Sequence, residues 1–116
     1  ELQVRSKVIQ TRVTKLITYC KDNKIKRIDV LKIDVEGGEK DILFPAKEIL
    51  KKFKPHIIAE FSTSTSEAYN YHPNEIYDFL KRLGYQICIF KNGKLVIQKK
   101  KRVYGEDLFC IPNRRN

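Results

Sequence analysis

Ile28-Asp29-Val30-Leu31-Lys32-Ile33-Asp34-Val35-Glu36-Gly37-Gly38-Glu39 is the stretch on which the fold turns. Its first half is short and mostly apolar. That is too short for a stable helix and reads as a largely buried strand over Ile28–Ile33. Asp34 and Glu36 follow the strand directly. Gly37 and Gly38 then let the backbone turn tightly and leave space for a ligand. Glu39 opens a helix, where negative charge near the N-terminus is favoured by ~0.3–1 kcal/mol.

Downstream, two helical pieces are expected, Glu39 to Phe44 and Ala46 to Phe53, with Pro45 in the first turn of the second. Ala46, Ile49, Leu50 and Phe53 form an amphipathic stripe. Pro55 ends it, and His56–Phe61 reads as a second buried strand running into Glu60. Ser62 to Tyr71 is polar and reads as a loop. Pro73 starts a helix in which Ile76, Phe79, Leu80 and Leu83 repeat the helical spacing, and Gly84 stops it. Tyr85–Phe90 is a third core strand. Lys91-Asn92-Gly93-Lys94 is a hairpin turn, because Asn-Gly accepts the positive φ of type I′. Leu95–Gln98 pairs back, and Asp107–Ile111 is a last strand. Upstream, Thr14 is placed as the cap of a helix through Asn23 with Leu16, Ile17 and Cys20 on one face. Val4 to Val13 reads as a strand.

Strands alternating with amphipathic helices give an α/β fold: a mostly parallel sheet flanked by helices, with an antiparallel edge hairpin. Ligands of such sheets sit beyond the carboxyl ends of the strands. If the first two core strands are neighbours, as right-handed crossovers favour, Asp34 and Glu60 share one rim, ~4.8 Å apart in strand spacing. Such carboxylates can orient a hydroxyl, accept its proton, bind a divalent cation or hold a cationic ligand. The plain alternative is structural, since Asp and Gly are common turn formers. His72, in the polar loop beside Pro73, is placed at the same rim as a substrate contact, whereas His56 reads as structural. Two or three carboxylates permit a metal without demanding one, and no metal ligand is assigned.

The chain has 116 residues, a size for one domain of the usual ~100–150 residues. Its apolar content of 41% supports a core and excludes wholesale disorder. No apolar run approaches the ~20 residues that span a bilayer, and no N-terminal apolar export segment is present, so a cytoplasmic chain is expected. Cys20, Cys88 and Cys110 read as buried thiols in a reducing compartment. Methionine is absent, position 1 included, as expected of a piece cut from a longer chain. The 24 Lys+Arg against 14 Asp+Glu give a net charge of +10, which favours anionic partners. The excess gathers at Lys24–Arg27, Lys51–Lys54, Lys99–Arg102 and Arg114-Arg115. A nucleic-acid or anionic-partner module is therefore the rival reading, though no recognition helix, stacking platform or Arg fork is visible. A non-catalytic domain that docks on a partner chain is a third.

The central stretch resembles the "LKIDVEGxE" signature of the FkbM-type S-adenosylmethionine-dependent methyltransferases. Val13–Leu16 is similar to that family's "v-t-L-D" entry, with Lys15 where the pattern has an acidic or small residue. Lys54–Glu60 is similar to its "p-x-i-x-x-E" strand, Leu80–Tyr85 to its "L-x-x-x-G-Y" step, and Asp107–Cys110 to its closing strand. The resemblance runs from about Val8 to Asn113. It implies a class I, Rossmann-like methyltransferase fold of seven strands, helices on both faces and a reversed final hairpin, of which this chain is a part: a mixed sheet with flanking helices and an antiparallel edge hairpin. It further implies that residues 1–116 are the C-terminal portion of one domain. They would hold the fourth to seventh strands and lack the N-terminal cofactor-binding strands, so that the fragment alone is inactive. The implied reaction is O-methylation of a small-molecule or sugar hydroxyl with S-adenosylmethionine as cofactor. Asp34, Glu36 and Glu60 are the implied catalytic residues. Asp34, Val35, Glu36 and Gly37 are the implied cofactor contacts, with Glu60 and His72 on the acceptor. The implied partners are the methyl acceptor and the missing N-terminal half, and an exposed edge at Ile28–Ile33 makes self-association an expectation.

Overall fold

The structure, a computed structural model, describes residues 5–113. The elements run α1 Leu16–Asp22, β1 Val30–Ile33, α2 Glu39–Leu43, α3 Lys47–Phe53, β2 His56–Ser62, α4 Thr63–Glu67, α5 Asn74–Arg82, β3 Tyr85–Lys91, β4 Lys94–Ile97 and β5 Gly105–Pro112. They build one mixed sheet in the order β1-β2-β5-β3-β4. β1 and β2 are parallel, joined by the α2–α3 crossover, with Ile33 opposite Ala59. β5 enters antiparallel between β2 and β3, and β4 returns antiparallel along β3. Three strands thus share one direction and one pairing is parallel: the sheet is mixed with an antiparallel edge hairpin, as expected, and less parallel than strand–helix alternation alone suggests.

The hydrophobic stripes bury as their spacing requires. Leu43, Leu50, Ile76 and Leu80 from the helices meet Ile33, Ile57, Ala59, Phe61, Ile87 and Leu108 from the sheet in one cluster. Every buried apolar side chain of the helices belongs to it, so the helices of the described residues cover one face. The register puts Ile58, Phe109, Cys88 and Ile97 on the other face. The helices on both faces implied by the resemblance are met on one face only among these residues. The hairpin turn takes the expected positive φ, 52° at Asn92 and 75° at Gly93. All three cysteines are buried and free. Among the described residues no helix is long and apolar enough to cross a membrane.

Four local expectations are corrected. The strand over Val4 to Val13 does not form in its described part, and Val4 lies outside the described residues. Val8 and Val13 are over nine-tenths exposed. β-branched residues hold a strand only against a pairing neighbour, and none is there among the described residues. Ile28–Ile33 is not largely buried: Val30 is 58% exposed and β1 has one neighbour among the described residues, the open edge that the resemblance led one to expect. α1 starts from Lys15, not from a Thr14 cap; Thr14 makes no capping bond to the helix. The Ser62–Tyr71 loop contains α4. There Ser66 Oγ donates to the Ser62 carbonyl at 2.8 Å and to the Thr63 carbonyl at 3.1 Å. Such hydroxyl-to-backbone bonds wind a turn with no apolar period to announce it.

β5 is the strand on which the mixed order hinges, and Leu108 is fully buried at its centre. Leu108→Ala is expected to lower the unfolding free energy by ~2–5 kcal/mol in chemical denaturation. Leu95→Ala on the exposed β4 is expected to cost less than ~1 kcal/mol.

Candidate functional site

The parallel register fixes the site. Because Ile33 lies opposite Ala59, Asp34, the first residue past β1, comes beside Glu60, which is still inside β2 two residues before its end at Ser62 rather than past the strand as expected. Glu36 turns back onto them. A carboxylate oxygen from each of Asp34, Glu36 and Glu60 lies within 4.8 Å of the other two. Asp34 and Glu36 are exposed, and Glu60 is half-buried. No ion pair to any of the three exists among the described residues. Glu60 also faces Asp107 directly across the β2–β5 ladder. Partial burial, followed by the negative charges of Glu36, Asp107 and Asp34, holds its carboxyl above the ordinary glutamate range, since both effects disfavour the ionised form.

The turn that carries Glu36 is held by groups the sequence did not single out. Glu36 sits at φ 51° and Gly37 at φ 110°. A non-glycine residue in the left-handed region is a local strain of order ~1–3 kcal/mol, kept only where surroundings over-determine it. The buried Tyr71 hydroxyl donates to the Gly37 carbonyl at 2.7 Å, with Glu39 Oε2 at 3.4 Å as a weaker acceptor. Gly37 N–H donates to Glu39 Oε1 at 3.4 Å. Burial, then the charge of Glu39, pushes the Tyr71 phenol up to about 12, so it stays a donor at neutral pH. The space expected for a ligand at Gly37 is filled by the protein: a Cβ there would meet Thr65 O at 2.6 Å and the Tyr69 ring at 2.7 Å. Tyr69, Tyr71 and Asp107 were findable only through the polar "loop" and the last strand, whose partners become visible with the topology.

The structure gathers Asp34, Glu36 and Glu60 and does not add His72 to them. Both His72 nitrogens are engaged elsewhere. Nδ1 accepts from Asn74 N–H at 3.1 Å, and Nε2 donates to the Arg102 carbonyl at 2.9 Å. His72 therefore clips the stretch before β5 to the start of α5, next to Tyr104. Val35 lies between the two exposed carboxylates and is 42% exposed.

Chemically, three carboxylates without a counter-charge can hold a hard divalent cation, hold an organic cation, or accept a proton from a hydroxyl. The site is an open rim. The apolar depression lined by Val13, Leu16, Tyr19, Ile42 and Pro45 involves none of the three carboxylates.

Among known protein families, the model described as the methyltransferase FkbM domain matches residues 1–87, the span that includes the whole acidic rim except Asp107. No curated protein and no solved structure shows significant similarity to the chain.

The turn and the rim each carry an expectation. Gly37→Ala should destabilise by more than ~2 kcal/mol, through both the positive φ and the contacts with Thr65 and Tyr69. Gly38→Ala would meet Val35 Cγ2 as its nearest neighbour, at 3.5 Å. It should cost under ~1 kcal/mol, both variants being compared with the parent by chemical denaturation. Glu60 binds its proton more tightly folded than unfolded, so its ionisation lowers stability as pH rises past the unfolded glutamate value of about 4.3. Glu60→Gln should therefore raise the melting temperature at neutral pH, and the gain should vanish below that value. A gain that grew on acidification would contradict the crowding of charge described here.

Proposed function

The chain belongs to the methyltransferase FkbM domain family, and from that premise we propose that it serves S-adenosylmethionine-dependent O-methylation of a small-molecule or sugar hydroxyl. The observation that carries this reading is the meeting of Asp34 and Glu36, just past the end of β1, with Glu60, near the carboxyl end of the adjacent parallel strand β2, without an ion-pairing cationic side chain among the described residues to neutralise them. The donor set suits the cofactor, whose sulfonium and ammonium groups are both positive and whose electrophilic methyl is taken in line by the acceptor oxygen. Asp34 and Glu36, exposed on the turn, are the groups to hold and orient that positive charge, with Val35 and the backbone at Gly37 beside them. Glu60 is the general base. Its raised proton affinity comes from partial burial and its acidic neighbours, and it suits Glu60 to take the proton of the acceptor hydroxyl. Alignment of the two reactants at ~3–3.5 Å supplies much of the rate in such transfers. The half-exposed Tyr69 and the hydroxyl-rich α4 border the turn and are the elements to shape an acceptor pocket.

In this reading residues 1–116 are the C-terminal portion of one methyltransferase domain. The open edge of β1 supports it: Val30 is exposed there, and β1 is the outermost strand of the sheet among the described residues. The first glycine of the chain is Gly37, so no glycine-rich phosphate or nucleoside loop precedes β1 within this sequence. The stretch by itself is then inactive, and activity belongs to the intact protein. Two substitutions in that protein test the assignment, with S-adenosylhomocysteine release measured across a panel of sugar and small-molecule hydroxyls. Glu60→Gln is expected to lower kcat/KM by ~10²–10⁴-fold, the usual contribution of a general base. Asp34→Asn is expected to weaken S-adenosylmethionine binding. Unchanged turnover and binding in both variants would overturn it.

A further inference from the structure

A second concavity lies at the opposite end of β1 and β2 from the acidic rim. α1 and α3 finish there, and the chain enters the two strands. Its floor is apolar, made by Ile17, Cys20, Ile25, Ile49 and Phe53, and it encloses about 400 Å³. Lys21, Lys24, Lys26 and Lys52 ring it, against the single acidic residue Glu48. Glu48 is itself matched by Lys51 at 3.9 Å. The four rim lysines are exposed and make no ion pair among the described residues, whereas Arg27, Lys40, Lys51, Lys100 and Lys101 all do.

The rim is built, not frayed. At the end of α1, Ile25 N–H donates to the Cys20 carbonyl at 2.9 Å and Lys24 N–H to the Lys21 carbonyl at 3.2 Å. That pair of bonds is the Schellman arrangement. Lys24 thereby sits at φ 51°. This is the left-handed position that glycine takes most easily. The motif brings its outermost residue back onto the last turn of the helix, so Ile25 and Cys20 both contribute to the floor. Lysines near helix C-termini also meet the negative end of the helix dipole. That accounts for Lys21 and Lys52, which lie in the last turns of α1 and α3. It does not account for Lys24 and Lys26 beyond the helix or for the apolar floor.

We propose that this concavity docks an acidic peptide segment that carries an apolar anchor side chain. The charge selects an anionic partner. Ammonium groups on flexible stems act as point charges without the planar fork of arginine, so they suit dispersed carboxylates better than one fixed oxyanion. The shape selects a protruding side chain. A volume of about 400 Å³ takes one or two large apolar groups, whereas a flat lipid surface or a duplex backbone would bridge the lysines and leave the floor empty. Apolar side chains seated in a groove and framed by complementary charge are a recurrent mode of peptide recognition. Docking here is independent of methyl transfer, because the concavity lies at the other end of the strands from Asp34 and Glu60.

The test is fluorescence anisotropy on the intact protein with a short labelled peptide of Asp and Glu residues around one central Phe. Three results are expected. Binding weakens as salt rises, since exposed charges are screened beyond a Debye length of ~10 Å at ~0.1 M. The pair Lys24→Glu and Lys52→Glu lowers affinity about tenfold or more, and Ser for the central Phe of the peptide does likewise. The pair Lys91→Glu and Lys94→Glu, on the distant β3–β4 turn, changes it less than about twofold. The rim lysines are exposed, so thermal melts of the variants should match the parent. Failure of the peptide to bind, equal losses from both lysine pairs, indifference to the Phe, or tighter binding of anionic phospholipid vesicles or of a single-stranded oligonucleotide would each overturn the proposal.

Discussion

The parallel ladder between β1 and β2 is the constraint on which the rest depends. Its register, Ile33 opposite Ala59, decides which residues stand where the strands end. A slip of one residue would turn Ile57, Ala59 and Phe61 from the core to the open face. It would also move Glu60 away from Asp34. The register is held from the core side, because Ile33, Ile57, Ala59 and Phe61 are all buried in the cluster that α2, α3 and α5 complete. Hydrophobic burial thus positions three charges that would not gather by themselves.

Those charges oppose the fold that carries them. Glu60 meets Asp34 and Glu36 at the rim and Asp107 across the β2–β5 ladder, and like charges directly opposite in a sheet are destabilising. Glu36 is further held in a left-handed conformation, fixed by Tyr71, Glu39 and the close approach of Tyr69 and Thr65 to Gly37. A purely structural turn has no need of this. Asp and Gly would form one without a buried tyrosine hydroxyl beneath it or a third carboxylate turned back over it. The combination of uncompensated charge and braced strain costs stability, which fits the binding and chemistry proposed for this rim.

How much of this could be read in the sequence depended on the range of the interactions. Periodic stripes such as Ile76, Phe79, Leu80 and Leu83, or the Asn92-Gly93 turn, are local signals and placed the elements near their true bounds. Asp34 and Glu36 were legible because they fall just past an apolar strand, and Glu60 because it lies near the carboxyl end of the next. Elements whose cause is remote were not. β1 is buried less than its apolar run suggests, and residues 5–13 are no strand, because of which neighbours exist among the described residues, and no short window records that. α4 is wound by hydroxyls returning to Ser62 and Thr63, so its polar composition read as loop. The hydrogen-bond partners of His72, Arg102 and Asn74, were unreadable for the same reason: they converge only when the stretch before β5 folds back over α5. Tyr71 went unnoticed because it acts on Gly37 from 34 residues away.

The charge distribution along β1 and β2 then has a simple logic. The chain is strongly basic as a whole, yet the carboxyl ends of these strands are acidic, while Lys24, Lys26 and Lys52 sit where the strands begin. β1 is four residues long. At ~3.3 Å per residue, the four steps from its start at Val30 to Asp34 span ~13 Å. That exceeds the Debye length of ~8 Å at physiological ionic strength, so neither end feels much of the other's charge through solvent. An overall positive field therefore does not neutralise the rim. The local potential at Asp34, Glu36 and Glu60 stays negative, and the two ends of one short strand pair can favour ligands of opposite sign. Net charge alone, which pointed to anionic partners for the whole molecule, averages over two surfaces that act separately.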